Sequence, residues 1–216
     1  MNRFEKTLES PFHQLMNLLY KLIVINLLYL FSSAIGLIFF TFAPATIATM
    51  VCMKGVFEKK DFPLVASFSH IFKTEYKKSM IFFGFYVLTF ALLGGSFYYY
   101  NFSPNTLFNT VGLVISGMVL VLHFTSFLHF LLISVYTPSI RFRSKLKYSY
   151  IMLVYKPGLS ILLLIVNVLI LLFSYVFITF SFLFTFAFMW YYNIAISHRV
   201  YQTLRNEHQT LEVLSH

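Results

Sequence analysis

Four long apolar runs, at roughly 22–43, 79–100, 107–137 and 159–196, constrain this chain more than any other feature. Each reaches or exceeds the ~20 residues needed to cross a hydrocarbon core about 30 Å thick. A water-soluble core built from 216 residues could not hide all four. Composition agrees: 59% of residues are hydrophobic, 20% aromatic and only 11% charged, with a mean hydropathy of +0.77. An ordinary soluble domain is about 25% charged. The in–out alternation of a membrane β-barrel is absent, so the spans are expected to be helices that satisfy their backbone internally. The fold class that follows is all-α, a polytopic transmembrane helical bundle forming one integral membrane domain over 1–216.

Residues 1–21 carry Glu5 and Glu9 and lack a small-residue cleavage site after a short apolar stretch, so a removed signal peptide is not expected. The single cysteine, Cys52, leaves no internal disulfide and no cysteine-cluster metal site. It reads as a small packing residue.

The net charge of +9 raises the question of nucleic acid. However, the basic residues sit between apolar spans, and no zinc-finger, RNP or helix-turn-helix pattern accompanies them. Their distribution is better read as topology. Lys54, Lys59, Lys60, Lys73, Lys77 and Lys78 form one group, and Arg141, Arg143, Lys145, Lys147 and Lys156 another. The connection 98–106, "YYYNFSPNT", has no charge. Basic loops mark the cytoplasmic side, which places loops 58–78 and 138–158 inside and 98–106 outside.

If the first run crossed once and ended near Phe42, then Arg3, Lys6 and Lys21 would lie outside, against that rule. A return crossing through "FAPATIATMVCMKGVF" removes the conflict. Residues 41–57 supply about 25 Å at helical rise, short but sufficient for a helix buried in protein. Pro44 falls where a first helical turn tolerates proline, and Ala45, Ala48 and Gly55 permit close helix approach. At the other end, 159–196 would be about 57 Å long as one straight helix, nearly twice the core thickness. A hairpin turning near Thr179 and Ser181 gives two crossings instead. The expected arrangement is six crossings, approximately 19–40, 42–57, 79–99, 107–136, 159–178 and 180–197, including short or re-entrant hairpin helices, with both termini cytoplasmic. Four to five crossings is the alternative.

In loop 58–78, Phe62, Val65, Phe68, Phe72 and Tyr76 recur at near-helical spacing beside Lys73, Lys77 and Lys78. A short helix along the inner surface is expected. Loop 138–158 interleaves basic and aromatic residues in the same way. Lys59, Lys60, Lys73, Lys77, Lys78, Arg141, Arg143, Lys145 and Lys147 are therefore candidate contacts to an anionic inner leaflet or to a protein partner.

Polar groups inside spans are the other candidates, because burying them in hydrocarbon is expensive. Asn26, His123 and Asn167 form the candidate intramembrane polar site, read as interhelical hydrogen bonding or as substrate lining. His129 lies six residues beyond His123, about 120° around the helix, so the two imidazoles cannot readily share a metal. No acidic residue falls within an expected span, and there is no paired carboxylate, Ser/His/Asp spacing or phosphate-binding glycine loop. The expectation is a protein that is not an enzyme and takes no cofactor or metal. Neither partner identity nor oligomeric state is fixed by the residues.

The N-terminal third, "NLLYLFSSAIGLIFFTFAPATIATM", with Asn26, Leu27, Leu28, Gly36, Leu37, Pro44, Ala45 and Ala48, followed by a basic segment ending "FKTEYKKS", resembles the YesL-like family of bacterial multipass membrane proteins. That family is of unknown function. The resemblance implies a cell-membrane protein associated with carbohydrate transport systems, with transporter subunits as partners. It implies no catalytic or binding residue.

Overall fold

The structure, a computed structural model, describes residues 11–35, 41–102 and 106–214, and the side chains within these except at 35, 178–183 and 207–214. Arg3, Lys6, residues 36–40 and 103–105, and the side chains of Thr179 and Ser181, which figured in the topology above, lie outside the described residues. Among those described there are seven helices and no strand: α1 (Pro11–Ile35), α2 (Phe42–Phe57), α3 (Leu64–Phe102), α4 (Leu107–Tyr136), α5 (Phe142–Tyr155), α6 (Pro157–Val176) and α7 (Ile178–Leu214). α1, α3, α4 and α6 are long and apolar enough to cross a membrane, and α2 is a shorter apolar helix. This is a helical membrane bundle. Its chain divides into two compact units, 1–76 with 166–196 and 77–165 with 197–216.

In the first unit, α2 packs against α1. The chain turns into α2 at Thr41, whose hydroxyl donates to the Ser33 carbonyl at 3.0 Å. Pro44 is then the third helical residue, where its missing N–H leaves no gap in the ladder. Every residue from Ala43 to Met50 is buried, a continuous two-turn stretch with no exposed face. A helix apolar all round belongs inside a protein, not at its surface. At 16 residues and about 24 Å, α2 is short for a lipid-facing span; burial by its neighbours makes that length tolerable.

α6 and α7 meet as an antiparallel pair in the same unit. Ser174 bonds Thr185 at 2.6 Å, and Asn167 bonds Asn193 at 2.8 and 3.1 Å. Moving from 174 back to 167 on α6 moves from 185 forward to 193 on α7, so the two helices run antiparallel and the chain turns between them, a little before the expected Thr179 and Ser181. The helical backbone is interrupted at Phe177. The long C-terminal apolar run is thus two helices.

In the second unit, α3 and α4 also run antiparallel. Tyr100 lies over Gly112 and Phe97 over Gly117, so a Cβ on Gly112 would come within 2.6 Å of the tyrosine ring. Thr106 caps α4, its hydroxyl accepting from the Asn109 N–H at 3.3 Å. α5 lies against α4 through a Ser126–Ser149 contact of 2.9 Å.

Two segments depart from expectation. The separate surface helix over 58–78 is instead the beginning of α3, which is continuous for 39 residues, about 58 Å. No glycine or proline falls between Pro63 and Gly84, and Lys77-Lys78 is good helix sequence, so nothing stops the helix at the expected boundary. Segment 138–158 is mostly helical. It forms α5, and Pro157 then occupies the first position of α6, where proline is favoured.

Candidate functional sites

The polar residues expected inside spans are each taken up by a neighbouring helix. Asn26, fully buried on α1, accepts through Oδ1 from the backbone N–H groups of Phe186 and Ala187 on α7, both at 3.1 Å. One turn on, the Tyr29 ring packs on Phe186 with centroids 4.4 Å apart. Asn167 and Asn193 exchange reciprocal carboxamide bonds, which uses a donor and an acceptor of each. Asn26 and Asn167 both contact α7, at positions more than one helical turn apart. His123 belongs to the second unit and has partners of its own.

The two histidines of α4 share one design. His123 Nε2 lies 2.7 Å from Thr89 Oγ1, and Nδ1 lies 2.6 Å from the Tyr150 hydroxyl. The Thr89 hydroxyl donates to the Phe85 and Tyr86 carbonyls at 3.0 Å, so it must accept from His123. That logic places the imidazole proton on Nε2 and leaves Nδ1 to accept from Tyr150. His129 repeats the scheme: Nε2 is 2.8 Å from Ser160, whose hydroxyl donates to the Lys156 carbonyl at 3.2 Å, and Nδ1 is 2.5 Å from the Tyr201 hydroxyl. Burial, with Tyr136 alongside, holds the Tyr201 phenol well above its ordinary range, and burial raises Tyr150 too. Both therefore remain O–H donors at neutral pH. Each chain of tyrosine, neutral histidine and hydroxyl ends on a backbone carbonyl with every hydrogen placed. Such networks fix helix register. Among the described residues, no group of three His, Cys, Asp or Glu could hold a metal.

The basic residues proposed for lipid or partner contact are mostly exposed. Lys73, Lys77 and Lys78 line the first half of α3; Arg141, Arg143 and Lys147 flank or lie on α5. Lys145 is partly covered and donates to the Pro138 carbonyl at 3.3 Å. Lys60 pairs with Glu58 at 2.5 Å.

Lys59 lines a cleft of about 510 Å³ in the first unit. α1 contributes Gln14, Asn17 and Lys21, the end of α2 contributes Val56 and Phe57, and α7 contributes Tyr191. Asp61 completes the wall. Residues near the start of α1 thus meet residues just past the end of α2, so α2 returns the chain to the end from which α1 set out. The turn after α2 is a Schellman motif: Lys60 N–H reaches the Gly55 carbonyl at 3.0 Å and Lys59 N–H the Val56 carbonyl at 3.1 Å. Lys59 holds the left-handed position at φ 53°, alone among the described non-glycine residues. A Cβ on Gly55 would meet the ring of Phe62 at 2.6 Å, so a larger residue there has to displace that ring.

Helices of this length, apolarity and internal polar pairing define a polytopic helical membrane protein. Residues 22–97 match the family model described as "Protein of unknown function, DUF624", a stretch that holds Asn26, α2, Lys59, Asp61 and most of α3. No curated protein and no solved structure matches the chain.

Proposed function

We propose that this protein is a non-enzymatic multipass component of a bacterial cell membrane, with both termini cytoplasmic, that assists a larger transport assembly handling carbohydrates. One observation carries the reading. The polar side chains singled out within spans are consumed by bonds from helix to helix, as in Asn167–Asn193 and the two histidine chains. A self-contained transport path needs such groups turned toward a lumen. Here they serve the protein's own architecture. The carbohydrate association comes from the YesL-like resemblance of the N-terminal third, and the exposed basic faces of α3 and α5 supply surface for an anionic leaflet or a partner subunit.

Crosslinking in the native membrane, gentle solubilisation and mass spectrometry of what co-purifies test the role. Permease or solute-binding subunits are the expected finding. Recovery of the chain alone, or only with itself, would transfer the reading to an autonomous small-solute transporter. The orientation has its own check: reporters fused after Phe42 and after Thr179 should both read outside, because α1 with α2 and α6 with α7 each return the chain to its starting end. A cytoplasmic signal at either point would refute it.

A further inference from the structure

We propose that the cleft of the first unit is a binding site for a phosphate ester, carried on a phospholipid headgroup or on a small soluble molecule. The volume of about 510 Å³ lies within the range of small-molecule sites and exceeds what a bare phosphate would fill. Lys21 and Lys59 enter from different walls, one on α1 and one in the turn after α2. Neither makes an ion pair with a described residue, whereas the adjacent Lys60 is held by Glu58. The carboxylate nearest in sequence is thus spent on Lys60 while Lys59 lines the cleft.

The backbone gives a second, independent reason. Lys59 occupies the left-handed position of the helix cap, where glycine is strongly preferred because a Cβ is disfavoured. A lysine retained there gives up local stability, and its side chain lines a cleft that holds a second cation. Asp61 suits a hydroxyl or ammonium group beside the phosphate, and Leu15 and Tyr191 provide an apolar wall for the remainder of an amphiphile. This chemistry holds whether or not the protein assists a transport assembly.

The test uses the full chain in phosphatidylcholine nanodiscs. Native mass spectrometry measures retention of added phosphatidylglycerol, and thermal unfolding is followed in parallel. Inorganic phosphate and glycerol phosphate are the soluble probes. The wild-type protein should retain one phosphatidylglycerol, and Lys21→Gln with Lys59→Gly should weaken retention about tenfold or more, as loss of charge-assisted contacts predicts. Lys156→Gln, at an exposed lysine outside the cleft and outside the basic faces named for leaflet contact, should leave it unchanged. Lys59→Gly alone should raise the unfolding temperature in pure phosphatidylcholine while lowering lipid retention, a combination that misfolding cannot produce. Lysine-dependent binding of glycerol phosphate tighter than that of phosphatidylglycerol would identify a soluble phosphate ester as the source, and retention of phosphatidylglycerol that glycerol phosphate displaces only weakly would identify the lipid headgroup. Equal retention by wild type and double variant, or no lysine-dependent binding of any probe, would overturn the proposal.

Discussion

Replacing Asn26 by leucine is expected to lower the stability of the protein by about 2–3 kcal/mol, because two backbone N–H groups lose an acceptor where no water replaces it. The Oδ1 of Asn26 bonds Phe186 and Ala187 across 160 residues of sequence, and the side chain is fully buried. Leucine keeps the branched shape and heavy-atom count of asparagine and is somewhat bulkier, so none of the loss would come from an empty cavity. Asn26→Ala separates the two terms, since it adds a void to the lost bonds and should cost more still. Unfolding of the purified protein by a graded denaturing detergent measures both. Should Asn26→Leu prove as stable as wild type while Asn26→Ala is weakened, packing alone would hold α1 to α7 and the hydrogen bonds would contribute nothing.

The prominence of Asn26 was legible in the sequence, because a carboxamide in an apolar run has few uses besides bonding another helix. Its partners were not. They are main-chain groups of Phe186 and Ala187, and no side-chain chemistry marks a backbone N–H as available. Asn193 is a similar case. It closes the aromatic stretch "FMWYYN" and draws no notice until the antiparallel register of α6 and α7 brings it to Asn167. The register is half visible: an apolar run too long for one span has to turn, and the helix breaks at Phe177, just before the expected Thr179 and Ser181, a turn that no glycine or proline marks.

α2 was readable from charge bookkeeping, since only a second crossing keeps Lys21 and Lys59 on one side, and both line the same cleft. The start of α3 at Leu64 is hidden from hydropathy, which falls at Lys77-Lys78 while helix propensity does not. Hydropathy reports where lipid ends, and backbone preference reports where a helix ends. The cleft is hidden from the sequence for a related reason. In the sequence Lys59 is one of many basic residues, and its distinction lies in a φ of 53° that follows only once the end of α2 is fixed at Phe57.

His129→Leu is the companion experiment in the second unit, with an expected loss of about 1–3 kcal/mol. The substitution orphans the hydroxyl of Tyr201, a residue only 1% exposed, which donates to Nδ1 at 2.5 Å. Ser160 suffers less, because its own proton already rests on the Lys156 carbonyl. Tyr201→Phe alone removes the donor and leaves Nδ1 without a partner, a smaller penalty for a neutral imidazole. The two changes together delete both ends of the bond, so the double variant should be more stable than the sum of the singles by about 1–2 kcal/mol. Hydrogen bonds between membrane helices average only ~0.6 kcal/mol in such cycles, because an opened helix finds other partners in the bilayer. The His129 chain should exceed that average, since its three side chains come from α4, α6 and α7 and opening any one of them breaks the sequence of donors. Additive losses would mean that the chain is a set of independent contacts and that register in this unit is set by the aromatic packing of Tyr136 on Tyr201, whose rings stack at 5.6 Å.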